Sequence, residues 1–230
     1  GTGKVNLPIT TKAPLAQKFF NQGIGQLHGF WYFEAERSFR QVAALDTNCA
    51  TAYWGLAMAN VNNGKRAREF IKKATALKAN VSAREAAWID AWAAFHKEDG
   101  NAKRDDKDRR RDLVKSLEKL VAEAPDDLEA KAFLAVTLWQ NSDKGIALSS
   151  RMVVEKLVAD IMKVEPLHPA HHYRIHLWNT DTKDTNALVS AALCGQAAPD
   201  VAHMWHMPGH TFSALKRYAD ATLSELKEMR

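Results

Sequence analysis

Seven of the chain's nine histidines fall between residues 168 and 210: His168, His171, His172, His176, His203, His206 and His210. Neutral imidazoles ligate zinc, copper, nickel and iron, and two of them four residues apart on a helix share one face. His172 and His176 have that interval, and His206 and His210 repeat it. Each member of the second pair lies 34 residues after its counterpart. The two pairs therefore occupy the same place in consecutive units of an array with that period.

The rest of the chain carries the same period. Phe19-Phe20-Asn21-Gln22-Gly23, Gly29 to Ala35, Phe39, Leu45-Asp46 and Ala52-Tyr53-Trp54-Gly55-Leu56-Ala57 have the spacing of a tetratricopeptide repeat, a 34-residue helix–turn–helix unit. Small residues such as Gly23 and Ala35 let paired helices approach, and aromatics fill the space between repeats. Helix pairs are expected at 13–29 with 34–45, 50–62 with 65–78, and 82–96 with 104–123, then at 127–140 with 148–164, 168–179 with 184–196, and 202–215 with 219–230. Turn signals divide them: Asn62-Asn63-Gly64, Asp99-Gly100-Asn101, Ala124 to Asp127, Glu165-Pro166 and Ala198-Pro199-Asp200. No strand-like alternation competes. The expected fold is an all-α solenoid of about six antiparallel helix pairs over residues 13–230, preceded by an extension over 1–12. Trp88, Trp92 and Phe95, and Phe133, Leu134 and Leu138, recur at helical spacing and are expected in the core.

Aligning Trp205, Pro208-Gly209, Phe212, Tyr218 and Ala221 with the repeat puts His203, His206 and His210 at the second, fifth and ninth positions of a first helix. The previous repeat offers His172 and His176 at the fifth and ninth. First helices of neighbouring repeats run about 8–10 Å apart, so four or five imidazoles could converge. Pro208 cannot donate to Met204, which leaves a second arrangement open in which a new helix starts there and His203 and His206 sit on a turn. His168, before Pro169, is either a further ligand or a cap neighbour. His171 points about 100° from His172, toward an adjacent helix. His28 is expected as an ordinary surface or core residue, and His96 as a cation favoured by a helix C-terminus.

Composition narrows the class. The 230 residues, 46% of them hydrophobic, are enough for a continuous core. No apolar run approaches a membrane span, and Gly1 to Thr11 lack a signal-peptide pattern, which leaves the compartment open. The net charge of +5 lies largely in mixed-sign stretches such as 103–112, which argues for solvated helices rather than nucleic-acid binding. Cys49 and Cys194 have no Cys-x-x-Cys partner, which leaves them free or bridged, and are expected as small buried residues; the absence of Cys-x-x-Cys-His excludes covalent c-type haem. The sequence stops inside a helix with no polar cap, so either a longer chain or dimerisation through that helix is expected to cover it.

The block from His168 to His176, followed by Ala198-Pro199, His203 and His206 to Phe212, resembles a signature of certain bacterial tetratricopeptide proteins. In these, His-Pro-Gly leads into His-Tyr-x-Ile-His, and His-Met-Pro-Ser-His follows about one repeat later. The resemblance covers residues 166–222; Ala170 stands in place of a glycine, the approach to His172 is shorter, and Gly209 replaces a serine. It implies that the histidines act as a unit in a repeat protein of a kind often exported, and names no reaction. Three readings follow from residues and resemblance together. One is a binding scaffold with a protein or peptide in its concave groove and a transition-metal ion on His168, His172, His176, His203, His206 and His210. Another is a metal-dependent hydrolytic or redox enzyme using the same histidines, and the third is a metal-free groove. His-Glu-x-x-His, Gly-x-Ser-x-Gly and P-loop motifs are absent.

Overall fold

The computed structural model describes residues 1–97, 105–179 and 185–229. Among these it holds no strand and twelve α-helices: α1 (Pro14–His28), α2 (Tyr32–Leu45), α3 (Ala50–Ala59), α4 (Gly64–Leu77), α5 (Ala83–His96), α6 (Asp106–Glu123), α7 (Leu128–Ser142), α8 (Arg151–Val164), α9 (His171–Trp178), α10 (Leu188–Ala197), α11 (Ala202–Ala214) and α12 (Tyr218–Glu228). Short connections join them into six antiparallel pairs, and the first helices of neighbouring pairs touch as α1 with α3, α3 with α5, α7 with α9 and α9 with α11. This is an all-α, tetratricopeptide-like solenoid.

Helix starts are set by side chains that satisfy otherwise orphaned N–H groups. Asn63, Asp105, Asp127 and Ser150 cap α4, α6, α7 and α8, and Ser82 with Glu85 forms a reciprocal capping box on α5. α9 begins at His171, later than expected, because residues 165–170 form a turn in which the His168 N–H bonds to the Glu165 carbonyl. Pro208 lies inside α11, so His203 and His206 are helical and the alternative of a break there does not hold. The Asp99-Gly100-Asn101 turn lies outside the described residues.

Aromatic packing fills the core. Trp54, Trp88, Trp92 and Phe133 meet edge-to-face, and Trp88 stacks on Trp92. Phe39 is fully buried, and its ring lies where a Cβ on Gly23 or Gly55 would stand, 2.6 and 2.5 Å away. Two glycines on different helices thus make room for one phenylalanine. Cys49 and Cys194 are buried, as expected, and free.

The array curls until its first pair meets its last three. His28, at the end of α1, bonds to Glu129 at the start of α7 and to Tyr173 on α9. The next residue, Gly29, presses against Val201 before α11; a Cβ there would lie 2.6 Å from Val201 Cγ1. Residues 1–12 follow the same inner layer. The Leu7 N–H bonds to Asn21 Oδ1, Ile9 to Gln17 Oε1 and Thr10 to Glu85 Oε1, while the Leu7 side chain is buried. Part of the first-helix face expected to receive a peptide is therefore covered by the chain itself.

Because Phe39 serves two glycines at once, Phe39→Ala should lower unfolding free energy by about 3–5 kcal/mol. Chemical denaturation reads this out, and a loss below about 1 kcal/mol would contradict the packing described.

Candidate functional site

Helix α9 turns His172 and His176 to one side, and α11 brings His203 to meet them. One nitrogen from each lies within 4.8 Å of the other two. His172 Nε2 is 3.0 Å from His176 Nε2, and the His172 and His203 rings are 4.9 Å apart, edge-on. The decisive contact is on the far side of His172, where Nδ1 is 2.6 Å from the His28 carbonyl oxygen. A carbonyl only accepts, so Nδ1 carries the proton and Nε2 presents a bare lone pair to the other imidazoles. Burial pushes all three histidines below their ordinary value, His172 well below and His176 to about 4, with repulsion from neighbouring imidazoles, for His203 those of His206 and His210, adding to the effect. They are neutral at pH 7, the form in which imidazole ligates.

An aromatic wall encloses the group. Trp139 stacks on His176 at 4.3 Å, and Phe30 lies 4.3 Å from His172, 5.7 Å from His176 and 6.3 Å from His203. Phe30 reaches this place through an uncommon backbone, with φ +55 in the left-handed region. The Phe30 N–H bonds to the Leu27 carbonyl and the Trp31 N–H to that of Gln26, the Schellman arrangement in which glycine is usual. Helix α7 ends in the same arrangement with Gly145 at that position. At the end of α1 a side chain stands there despite a cost of about 1–2 kcal/mol, and it covers the histidines.

His168 is not part of this set. It sits with His28 and Glu129 in a second buried group, with His28 Nε2 2.6 Å from Glu129 Oε2 and His168 Nε2 3.3 Å from Glu129 Oε1. Tyr173 OH donates to His28 Nδ1 at 2.5 Å, and burial holds that phenol protonated. The Ala170 N–H donates to His168 Nδ1 at 3.0 Å, so the proton of His168 is on Nε2, facing Glu129. This nitrogen has no lone pair for an ion. Though the trio has the composition of a two-histidine, one-carboxylate metal site, its hydrogen bonds are complete without one. Burial alone would raise the Glu129 carboxyl, but His168 and His28 outweigh it and hold it below its ordinary 4.5. Burial pushes His28 down, against the pull of Glu129, and keeps it neutral. Glu129 and His168 also floor a cavity of about 600 Å³ lined by Lys4, Arg84 and Glu165.

His206 and His210 also stand apart from the three. His206 Nδ1 is 3.3 Å from both Glu225 Oε2 and Glu228 Oε2 on α12, and the His210 ring meets His206 edge-on at 4.8 Å. The 34-residue equivalence thus places corresponding histidines against different neighbours: His172 faces the first repeat, and His206 faces the second helix of its own pair. His171 bonds to Ser190 Oγ on α10 and to the Pro166 carbonyl, in line with its expected outward angle. His28 is no bystander, since its ring and its carbonyl each hold a buried partner. His96 is likewise corrected: burial, with Arg68 and Arg109, lowers it to about 4, so it carries no charge for the helix end at neutral pH.

Sequence reasoning missed His28, Phe30, Glu129, Glu225 and Glu228. Only His28 had a signal, its proximity to a groove position of the first repeat.

Neither a protein-family model nor a curated protein matches the chain. Among solved structures, MamA AMB-1 is similar at 14% identity over 94% of this chain and 90% of that one, with a TM-score of 0.42. The fold assignment stands on the helix pairing of the chain itself.

Glu129→Gln should destabilise the protein by roughly 3 kcal/mol at pH 7, because the amide group replacing one oxygen confronts an imidazole N–H with another donor. The stabilisation from a depressed carboxyl is full above its ordinary 4.5 and is lost as pH falls below that. The variant's acid limb should therefore be shallower than the parent's in a pH series of denaturation midpoints. Parallel limbs would mean that Glu129 is not the charge described.

Proposed function

We propose that the chain is a tetratricopeptide-like scaffold that holds one transition-metal ion on His172, His176 and His203. The observation that carries this is the His172 Nδ1 contact with the His28 carbonyl, since a metal-ligating histidine characteristically donates its other ring N–H to such a group. The spacing agrees. Two zinc–nitrogen bonds of about 2.0–2.1 Å at the tetrahedral angle put the nitrogens roughly 3.3 Å apart, and His172 Nε2 and His176 Nε2 are 3.0 Å apart. The proton shared between those nitrogens lies where the ion would sit. All-nitrogen donors favour zinc, copper, nickel or iron over magnesium or calcium.

Donor count favours a second reading beside the first. Three nitrogens leave a four-coordinate ion with one open position, as in catalytic rather than closed structural sites. A hydrolytic or redox enzyme would use that position for water or substrate, and a scaffold would use it for a donor from a protein partner. The chain's own residues would hold the ion and, through Phe30 and Trp139, restrict water around it.

Protein loaded with Zn²⁺ or Cu²⁺ and dialysed should retain about one equivalent, and His172→Ala or His203→Ala should weaken binding about 100-fold or more. His171→Gln should leave it intact. Retention below about 0.2 equivalents in the parent protein would remove the metal reading. If the fourth position is open, azide added to the Co²⁺-loaded protein should shift its visible absorption; an unchanged spectrum would leave the scaffold reading and dispose of the enzymatic one.

A further inference from the structure

Of the three histidines His172 is buried and His176 and His203 are partly exposed, so an ion enters from the side of the latter two. His203 is also the end of a line of imidazoles along α11. Its ring stacks 5.8 Å from that of His206, which meets His210 at 4.8 Å. Exposure rises along this line, from a buried His172 through partly exposed His176, His203 and His206 to an exposed His210. Beyond it stand Glu225 and Glu228, whose oxygens both lie 3.3 Å from His206 Nδ1. Among the described residues neither carboxylate pairs with a lysine or arginine, and His206 is the sole ion-pair partner of both. The ring proton on Nδ1 bridges them here, and a divalent cation in its place, with that proton moved to Nε2, would offset the repulsion between the two carboxylates more strongly.

The approach of Glu225 is accommodated in the backbone of α11. A Cβ on Gly209 would collide with Glu225 Oε1, so the absence of a side chain at 209 is what lets this carboxylate lie against the helix. Glu225 and Glu228 are three apart on α12, within one turn, and so reach the same point from one side while His206 reaches it from the other.

We propose that His206, Glu225 and Glu228 form a second, outer metal site that captures a hydrated divalent ion and delivers it along His203 to the inner set. This rests on the reading of His172, His176 and His203 as a metal site. Ligand chemistry gives the direction: carboxylate oxygens take an ion that still keeps water and release it readily, whereas three imidazoles behind an aromatic wall bind a borderline metal more tightly. The negative pair also raises the local concentration of cations at the mouth of the path. The outer site is therefore weak and fast, and the inner one tight and slow to fill without it.

The test uses the full chain, freed of metal by chelation, with Cu²⁺ as the probe and tryptophan fluorescence as the readout, because Trp139 stacks on His176 and reports arrival at the inner set. Titration of the parent protein should show one tight and one weaker equivalent. The double variant Glu225→Gln with Glu228→Gln should lose the weaker equivalent, keep the tight one with affinity within about twofold, and slow stopped-flow quenching by about tenfold or more. Raising the salt concentration should narrow the rate difference, as a mouth of exposed charges requires. Unchanged quenching rates, or a weaker equivalent that survives in the variant, would overturn this inference and leave the inner site standing. No tight equivalent in the parent protein would overturn both. A variant that slows loading and also loses the tight equivalent would place the carboxylates in the inner site and overturn the division into two.

Discussion

A carboxylate almost wholly withdrawn from solvent has to be matched by donors wherever the chain can supply them, and Glu129 at the start of α7 is such a group. Its two oxygens take an N–H from His28 and another from His168, which come from repeats far apart in sequence. The demand is satisfied only when the end of α1 lies against the fourth and fifth pairs. Closure then follows: Gly29 meets Val201, residues 1–12 thread the inner layer, and the carbonyl of His28 arrives beside His172. The same residue thus donates to the buried carboxylate through its ring and orients a candidate ligand through its backbone. Stability and site are coupled at His28.

Hydrogen bonding separates two groups that composition would treat alike. In one, a carbonyl takes the Nδ1 proton of His172 and leaves Nε2 available; in the other, a backbone N–H occupies Nδ1 of His168 and leaves the proton on Nε2. Both residues are buried histidines near other histidines. What differs is whether the neighbouring backbone atom accepts or donates, and this decides whether the imidazole is a candidate ligand or a structural donor.

The helix pairs were legible because their determinants are local. Asn63 and Asp127 cap the helices they precede, the 34-residue period repeats, and the tryptophan and phenylalanine positions follow one helical face. The pairing of His172 with His176 was legible for the same reason, being set by four residues of one helix. The roles of His28 and Glu129 were not, because they depend on contacts across 101 and more residues that arise only when the solenoid closes. Within the sequence, Glu129 is an acid in a first turn, where any surface helix would carry one. Glu225 and Glu228 resemble ordinary solvated charges of a terminal helix, and Phe30 occupies a turn position where nothing announces a left-handed backbone. His168 lies with His28 and Glu129 rather than beside His172, in a tautomer set by the Ala170 N–H, and spacing encodes neither.

Closure also constrains how such an array can change. An open solenoid tolerates gain or loss of a unit, because each unit contacts only its neighbours and the ends are free. Here residues of the first, fourth, fifth and sixth pairs meet at one place, so the intervening pairs act as a spacer of set arc. Removing α3 with α4, or inserting another such pair, would carry His28 past Glu129 and His172 even if every helix still folded. In this protein the number of repeats is a dimension of the site, and the pairs that contribute no residue to it are held to a set length by geometry.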